Sequence, residues 1–427
     1  SKMACRMMAC RVASSSSTAV PKTSSSVWSN VRTALLSNIN MDYCVRLLAK
    51  EGVDIMPAQG YGNELGALLD GSSAYNIYAP EITFVIVDIA ELVGHEYGEE
   101  SYAAIDGWFD TLKGALMQDR IYYISNAYMH GTDDVIIASN MSEAVAGYFD
   151  KALERLISAY PNVRIFPYRQ LMTGMGEAVA LSEKTWYMGK ILHTKDASER
   201  ICGAIRHKLH IEKRIPKKVL VLDLDNTLWG GVCGEDDEAP IVLSDTGKGL
   251  VYKNFQRMIK HIKEQGTLLA IVSKNNEADA YAVIDNDPNM VLKREDFAAI
   301  RINWESKDKN IKEIAEELSL GLDSFVFVDD SPNERRLIEL KLPEVVVADF
   351  PEDAERLSDM MLLLYREYFE KPMLTTEDRS KSKLYADNAK RKKSKDGAAS
   401  FDEYLQSLHT VIAKKRPSDH AERFREL

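Results

Sequence analysis

The stretch "KVLVLDLDNTLWGG" carries Asp223 and Asp225 out of a run of apolar, β-branched residues. Two carboxylates at one strand tip repel each other and lose hydration, so a capping role explains one of them more readily than both. Three other stretches bring complementary groups: Ser273 in "IVSKNN", Lys307 after "RINWES", and Asp329 with Asp330 closing "FVFVDD". Acids, a hydroxyl and a cation in this combination suit phosphoryl transfer through an aspartyl-phosphate. That chemistry needs a carboxylate nucleophile and a hard divalent cation to screen two anions, and Mg2+ takes oxygen ligands. Asp223 with one or both of Asp329 and Asp330 supplies such ligands, and Asp225 adds a fourth carboxylate beside them. Asp225 can protonate the leaving oxygen and later deprotonate the attacking water. Ser273 and Lys307 can hold the phosphate oxygens.

These residues act together only if separate segments deliver them to one edge. The chain alternates strand-like and helix-like patterns, and its strands read as continuous apolar runs buried on both faces. That predicts parallel sheets covered by helices, hence an α/β protein with two doubly wound, Rossmann-like sheets. One series runs over 28–212, with strands in "VRTALLSNI", "ITFVIVDIAEL", "DRIYYISNAY" and "NVRIFPY". A basic linker at "IEKRIPKK" leads to a second series over 213–372, with strands in "KVLVLD", "TLLAIVS", "FAAIRIN", "SFVFVDD" and "EVVVAD". The helix "KDKNIKEIAEELSLG" is expected to stop at Gly321. Ligands of such sheets bind beyond the carboxyl ends of the strands, where all four features fall.

Composition narrows the partners. The 427 residues, 45% hydrophobic, suffice for two or three domains, and a net charge of −11 repels nucleic acid and anionic membrane surfaces. No apolar run approaches the roughly 20 residues that span a bilayer. The five cysteines are odd in number and lack zinc spacing, which fits free thiols in a reducing, cytoplasmic setting. Residues 1–27 are basic and Ser-rich, as in a disordered or organellar targeting leader, and 373–427 read as a helical, basic segment that a further domain can follow. The cluster at Lys390–Lys393 reads as a solvated face, because no aromatics interleave with it.

The strings "DLDNT", "IVSKNN", "NWESK" and "FVFVDDSPNER" resemble the four motifs of the haloacid dehalogenase (HAD) superfamily. "DLDNTLWGGVCGEDD", "SKNNEADA" and "FAAIRINWESK" resemble more narrowly its subfamily IIIC, the FkbH-like proteins. The resemblance implies Asp223 as nucleophile, Asp225 as acid/base, and Asn226 and Thr227 as first-motif residues at the phosphate. It further implies Ser273 and Lys307 as phosphate holders, with Asp330 a direct Mg2+ ligand and Asp329 its outer partner. The segments between motifs leave no room for a lid, so a capless, open site is expected. FkbH-like proteins are associated with loading the glyceryl group of 1,3-bisphosphoglycerate onto an acyl carrier protein in polyketide-type pathways. Glyceryl-loading members carry a cysteine between the two aspartates. Leu224 stands there in this chain, with Cys233 nearby as a candidate substitute.

The first series resembles the SGNH-hydrolase-like domain of the same family, through "LLSNINMDY", "GYGNELG" and "EKTWYMGKILH". Ser37 and His193 are its candidate hydrolytic pair, although Gly-Asp before the serine and Asp three residues before the histidine are both missing. Asn63 and Asn126 are candidates for a cleft. Phosphatase, glyceryl transferase, carrier-protein-binding adaptor and first-domain esterase thus stand as the expected alternatives.

Overall fold

The structure, a computed structural model, describes residues 30–94, 97–130, 140–234, 241–375 and 378. The leader over 1–27, Cys5, Cys10, the Lys390–Lys393 cluster and all but the first residues of 373–427 lie outside the described residues. The chain divides into two compact units, one through Arg214 and one from Ile215. The Lys195–Lys213 helix absorbs the "IEK" expected as linker, because Ile211 and Leu209 are buried on its inner face. It ends just ahead of Pro216, whose ring disfavours helix at the preceding residue.

In the first unit, β1 (Thr33–Ser37), β2 (Ile82–Ile86), β3 (Ile121–Ser125) and β4 (Val163–Phe166) pair in parallel in that order. A single bridge from Thr33 to Ile55 adds a rudimentary edge on the other side of β1. The chain therefore leaves β1 in one direction, returns, and runs through β2 to β4 in the other, so helices cover both faces. The Asp42–Lys50 and Lys195–Lys213 helices pack Cys44, Leu48, Ile201 and Ile205 on one face. The Glu99–Ala115 and Met141–Ala159 helices pack Trp108, Leu112, Val145 and Phe149 on the other. β1 and β2 are buried at every position, as their unbroken apolar runs require, whereas the edge strand β4 is buried only at its ends.

The second unit contains β5 (Val219–Leu222), β6 (Leu268–Ser273), β7 (Phe297–Ile302), β8 (Phe325–Val328) and β9 (Val346–Val347). All pair in parallel in the order β7-β6-β5-β8-β9, with the reversal between β5 and β8. β5, β6 and β8 are buried throughout, and one face carries the Gly247–Glu264 and Leu357–Leu364 helices. The Lys307–Leu318 and Pro332–Lys341 helices cover the opposite face. The first of these stops at Leu318, short of the expected Gly321, with Ser319 in the left-handed conformation at φ 55°. Ser319 serves because its small polar side chain is exposed, whereas Gly321 begins the next turn.

Among the described residues, one long helix lies between β5 and β6, and one helix with a short 3-10 turn between β6 and β7. Among the described residues neither segment holds a folded cap, as the spacing leads one to expect. No helix among the described residues is long and apolar enough to cross a membrane.

Candidate active site

The reversal between β5 and β8 sets two strand ends side by side. Asp223 N donates to Val328 O at 3.0 Å, and each strand then releases its acids at the same edge. Carboxylate oxygens of Asp223, Asp329 and Asp330 lie within 4.8 Å of one another. Lys307, the first residue of the Lys307–Leu318 helix, places its Nζ 2.9 Å from Asp223 Oδ2 and 2.5 Å from Asp329 Oδ2. All three of these side chains are buried.

One lysine among three carboxylates leaves an excess of negative charge. Burial alone would lower the Lys307 pKa, but Asp223 and Asp329 outweigh it and hold the ammonium above the ordinary lysine value. Asp329 is pushed up to about 6, first by burial and then by Asp223. Asp330 is raised by the same two causes. Both directions follow from one fact: the pocket favours added positive charge and resists the last carboxylate charge.

The remaining bonds separate the acids by role. Asp329 spends Oδ1 on Ser331 N at 2.9 Å and Oδ2 on Lys307. Among the described residues Asp330 has neither oxygen committed to a side chain, while Arg335 donates to the main-chain carbonyls of both residues at 2.7 Å. Asp223 Oδ1 is buried without any hydrogen-bond partner, and so is Thr227 Oγ1. Two buried, orphaned polar atoms four positions apart are costly unless a ligand meets them.

Asp225 stands outside the three-acid cluster. Its Oδ1 accepts from Trp229 Nε1 at 2.9 Å and Cys233 N at 3.1 Å, and its Oδ2 accepts from Asn275 Nδ2 at 2.6 Å. Trp229 and Asn275 belong to no expected site list, although "SKNN" placed Asn275 two residues from Ser273. Ser273, at the end of β6, is buried and its hydroxyl has no partner among the described residues. Asn226 adopts φ 52° and spends Oδ1 on Gly231 N at 2.9 Å, so its side chain braces the following loop. Gly230 in that loop lies against Tyr252 and Val242, where an added Cβ would approach to 3.0 Å. Leu224 is fully buried in the core, and the buried Cys233 thiol is pushed up to about 12 by burial and by Asp225.

In the first unit, the structure does not join Ser37 to His193. Ser37 Oγ donates to Ile86 O at 2.6 Å and accepts from Ile39 N. His193 is buried against Tyr168, whose hydroxyl lies 2.6 Å from Nε2, and burial pushes its pKa down to about 4. Asn126 bonds Gln170 and Arg169 N, while Asn63 precedes the Glu64–Leu69 helix. A histidine of this unit that meets an acid is His130, 2.9 Å from the fully buried Asp88 just beyond β2. Nothing in the local spelling "NAYMHG" marks it, because Asp88 lies 42 positions away.

No protein-family model and no curated protein matches the chain. Among solved structures, the chain is similar to the N-terminal part of protein BF1531 from Bacteroides fragilis, a crystal structure described as containing a phosphatase domain complexed with Mg. The two are 25% identical with a TM-score of 0.66, and the match covers 80% of this chain and 94% of that one. The chain therefore shares the α/β fold of that phosphatase-containing structure, with two parallel sheets.

Proposed function

We propose that the second unit is a Mg2+-dependent phosphatase working through a covalent aspartyl-phosphate on Asp223. The observation that carries this reading is the cluster of Asp223, Asp329 and Asp330 with Asp223 Oδ1 buried and unpaired. An all-oxygen donor set with surplus negative charge fits Mg2+. The likeness to a phosphatase-containing structure complexed with Mg supports the same reading. Asp223 and Asp330 would hold the ion directly, with Asp329 behind them. When bound it supplies the positive charge that lets a carboxylate approach a phosphate.

The chain's own residues divide the remaining work. A carboxylate oxygen of Asp223 attacks phosphorus, and the bond from phosphorus to the leaving oxygen breaks. Lys307 and the Ser273 hydroxyl hold the equatorial oxygens, and Thr227 Oγ1 is available to the same group. Asp225, fixed by Trp229 and Asn275, gives its proton to the leaving oxygen. It then takes a proton from the water that releases phosphate and restores Asp223.

The FkbH-like resemblance suggests instead glyceryl transfer from 1,3-bisphosphoglycerate to an acyl carrier protein. That transfer needs a reactive thiolate. A buried Leu224 between the aspartates and a Cys233 thiol held protonated support hydrolysis over acyl loading. In this proposal residues 28–212 are the SGNH-like part, without a Ser37–His193 hydrolytic pair, and residues 213–372 are the catalytic part. The substrate is a phosphorylated small molecule.

Phosphate release from 4-nitrophenyl phosphate and acetyl phosphate, with Mg2+ and after its chelation, tests the proposal. Asp223→Asn is expected to reduce release by about a thousandfold or more. Release that survives the substitution would overturn the reading, and a wild-type chain inert on both substrates would favour the adaptor alternative.

A further inference from the structure

Trp304 sits in the loop between β7 and the Lys307–Leu318 helix with 71% of its surface exposed. An indole usually buries most of its area, so an exposed one beside a candidate active site needs a reason. Its surroundings are fixed. Asn303 N donates to Ser273 O at 3.1 Å, and the Asn303 and Asn310 side chains bond each other reciprocally at 2.8 and 3.2 Å. Glu305 N donates to Asn303 Oδ1 at 3.0 Å. Trp304 Nε1 in turn donates to Asn276 Oδ1 at 3.2 Å. The ring is thus presented, held at its edge with its surface in solvent.

Its position is also defined chemically. Asn276 follows Asn275, the residue that holds Asp225, the proton donor to the leaving group. Lys307, which binds the phosphate, lies three residues beyond Trp304 on the other side. A flat aromatic surface therefore stands against the same short loop that holds Asp225.

We propose that Trp304 is a specificity residue that stacks on a planar ring in the leaving group, so that the substrate is an aromatic-ring-bearing phosphomonoester, of aryl or nucleoside type. The inference rests on the phosphatase reading and adds the class of ester. In a capless site no lid grips the leaving group, so one exposed ring provides much of the discrimination between ring-bearing and ring-free esters.

The test compares 2-naphthyl phosphate with glycerol 2-phosphate on the full chain with Mg2+, as wild type, Trp304→Ala and Trp304→Phe. Trp304→Ala should raise KM for the naphthyl ester roughly tenfold, with kcat and all glycerol-phosphate kinetics near wild type. Trp304→Phe should restore most of the naphthyl KM. Equal losses on both esters, or no change on either, would overturn the inference. Calorimetric binding of 2-naphthyl phosphate to Asp223→Asn, with and without Trp304→Ala, reads the same contact without turnover. If the wild type hydrolyses neither ester, the phosphatase reading fails, and this titration alone decides: a tenfold weaker affinity supports stacking, and an unchanged one rejects it.

Discussion

At the scale of single residues, the two first-motif aspartates differ because their neighbours differ. Asp223 keeps one oxygen on Lys307 and leaves the other bare, which suits its proposed role as nucleophile. Asp225 is pinned from three directions, which suits its proposed role as acid/base. Asn275→Ala removes the 2.6 Å bond and should slow hydrolysis of alkyl phosphates by about 10- to 100-fold. Acetyl phosphate, whose leaving group needs no proton, should be much less affected, and a comparison of kcat on the two substrates checks this. Cys233→Ala should leave phosphate release near wild type, since it keeps the main-chain N that donates to Asp225 and removes only a weak thiol hydrogen bond. A large loss of kcat would restore the thiol to the chemistry. Both residues lie inside strings legible in the sequence. Their contacts were not, because Asn275 reaches Asp225 across 50 positions.

At the scale of elements, apolar runs located the strands, since burial on both faces leaves no room for alternation, but in "ITFVIVDIAEL" the strand stops at Ile86 and Ile89–Val93 is a helix capped by Asp88. The turns were less legible. The Lys307–Leu318 helix ends three residues before its glycine, with Ser319 at φ 55° and ψ 45°. A residue with a Cβ is strained there, whereas glycine is not. Ser319→Gly should therefore stabilise the chain by up to about 1 kcal/mol, seen as a higher thermal midpoint, with phosphate release unaltered. A fall in the midpoint would show that the Ser319 side chain contributes more than its strain costs. Asn226 is the opposite case, because its left-handed turn is tied to the loop through Oδ1, so glycine there would lose the Gly231 bond.

At the scale of the whole molecule, each unit carries its own response to solution conditions. Burial holds the pKa of His193 down, from 6.5 to about 4, so between these values the unfolded chain binds a proton that the folded unit rejects. Its contribution is present above pH 6.5 and is lost as pH falls towards 4, by roughly 3 kcal/mol. His130 works in the other direction. Burial would lower its pKa, but the bond to Asp88 outweighs burial and raises it. That contribution is complete below pH 6.5 and fades as pH rises through the raised value. Thermal stability of the first unit should therefore be greatest near pH 6.5, and His193→Asn should flatten the acid limb in a melting series. For the second unit, Mg2+ binding to the folded acids should raise the melting midpoint, and Asp330→Asn should remove most of that increment. An increment that survives the substitution would place the ion elsewhere.

The order of residue types along the chain determined the class of fold, most of the strands, and which carboxylates, serine and lysine are proposed for phosphoryl chemistry. Those properties are local: hydrophobic runs record burial, and "DLDNT" or "FVFVDD" records its own carboxylates. Tertiary structure decided which groups share a pocket. The reversal of strand order between β5 and β8 brought Asp223 to Asp329 and Asp330, while Asp225 turned away to Trp229 and Asn275. It likewise bound Ser37 to a main-chain carbonyl and gave Asp88 to His130. Partners separated by dozens of residues are selected by how parallel strands pack and how each side chain satisfies its buried hydrogen bonds. Neither is written in the spacing of any single motif.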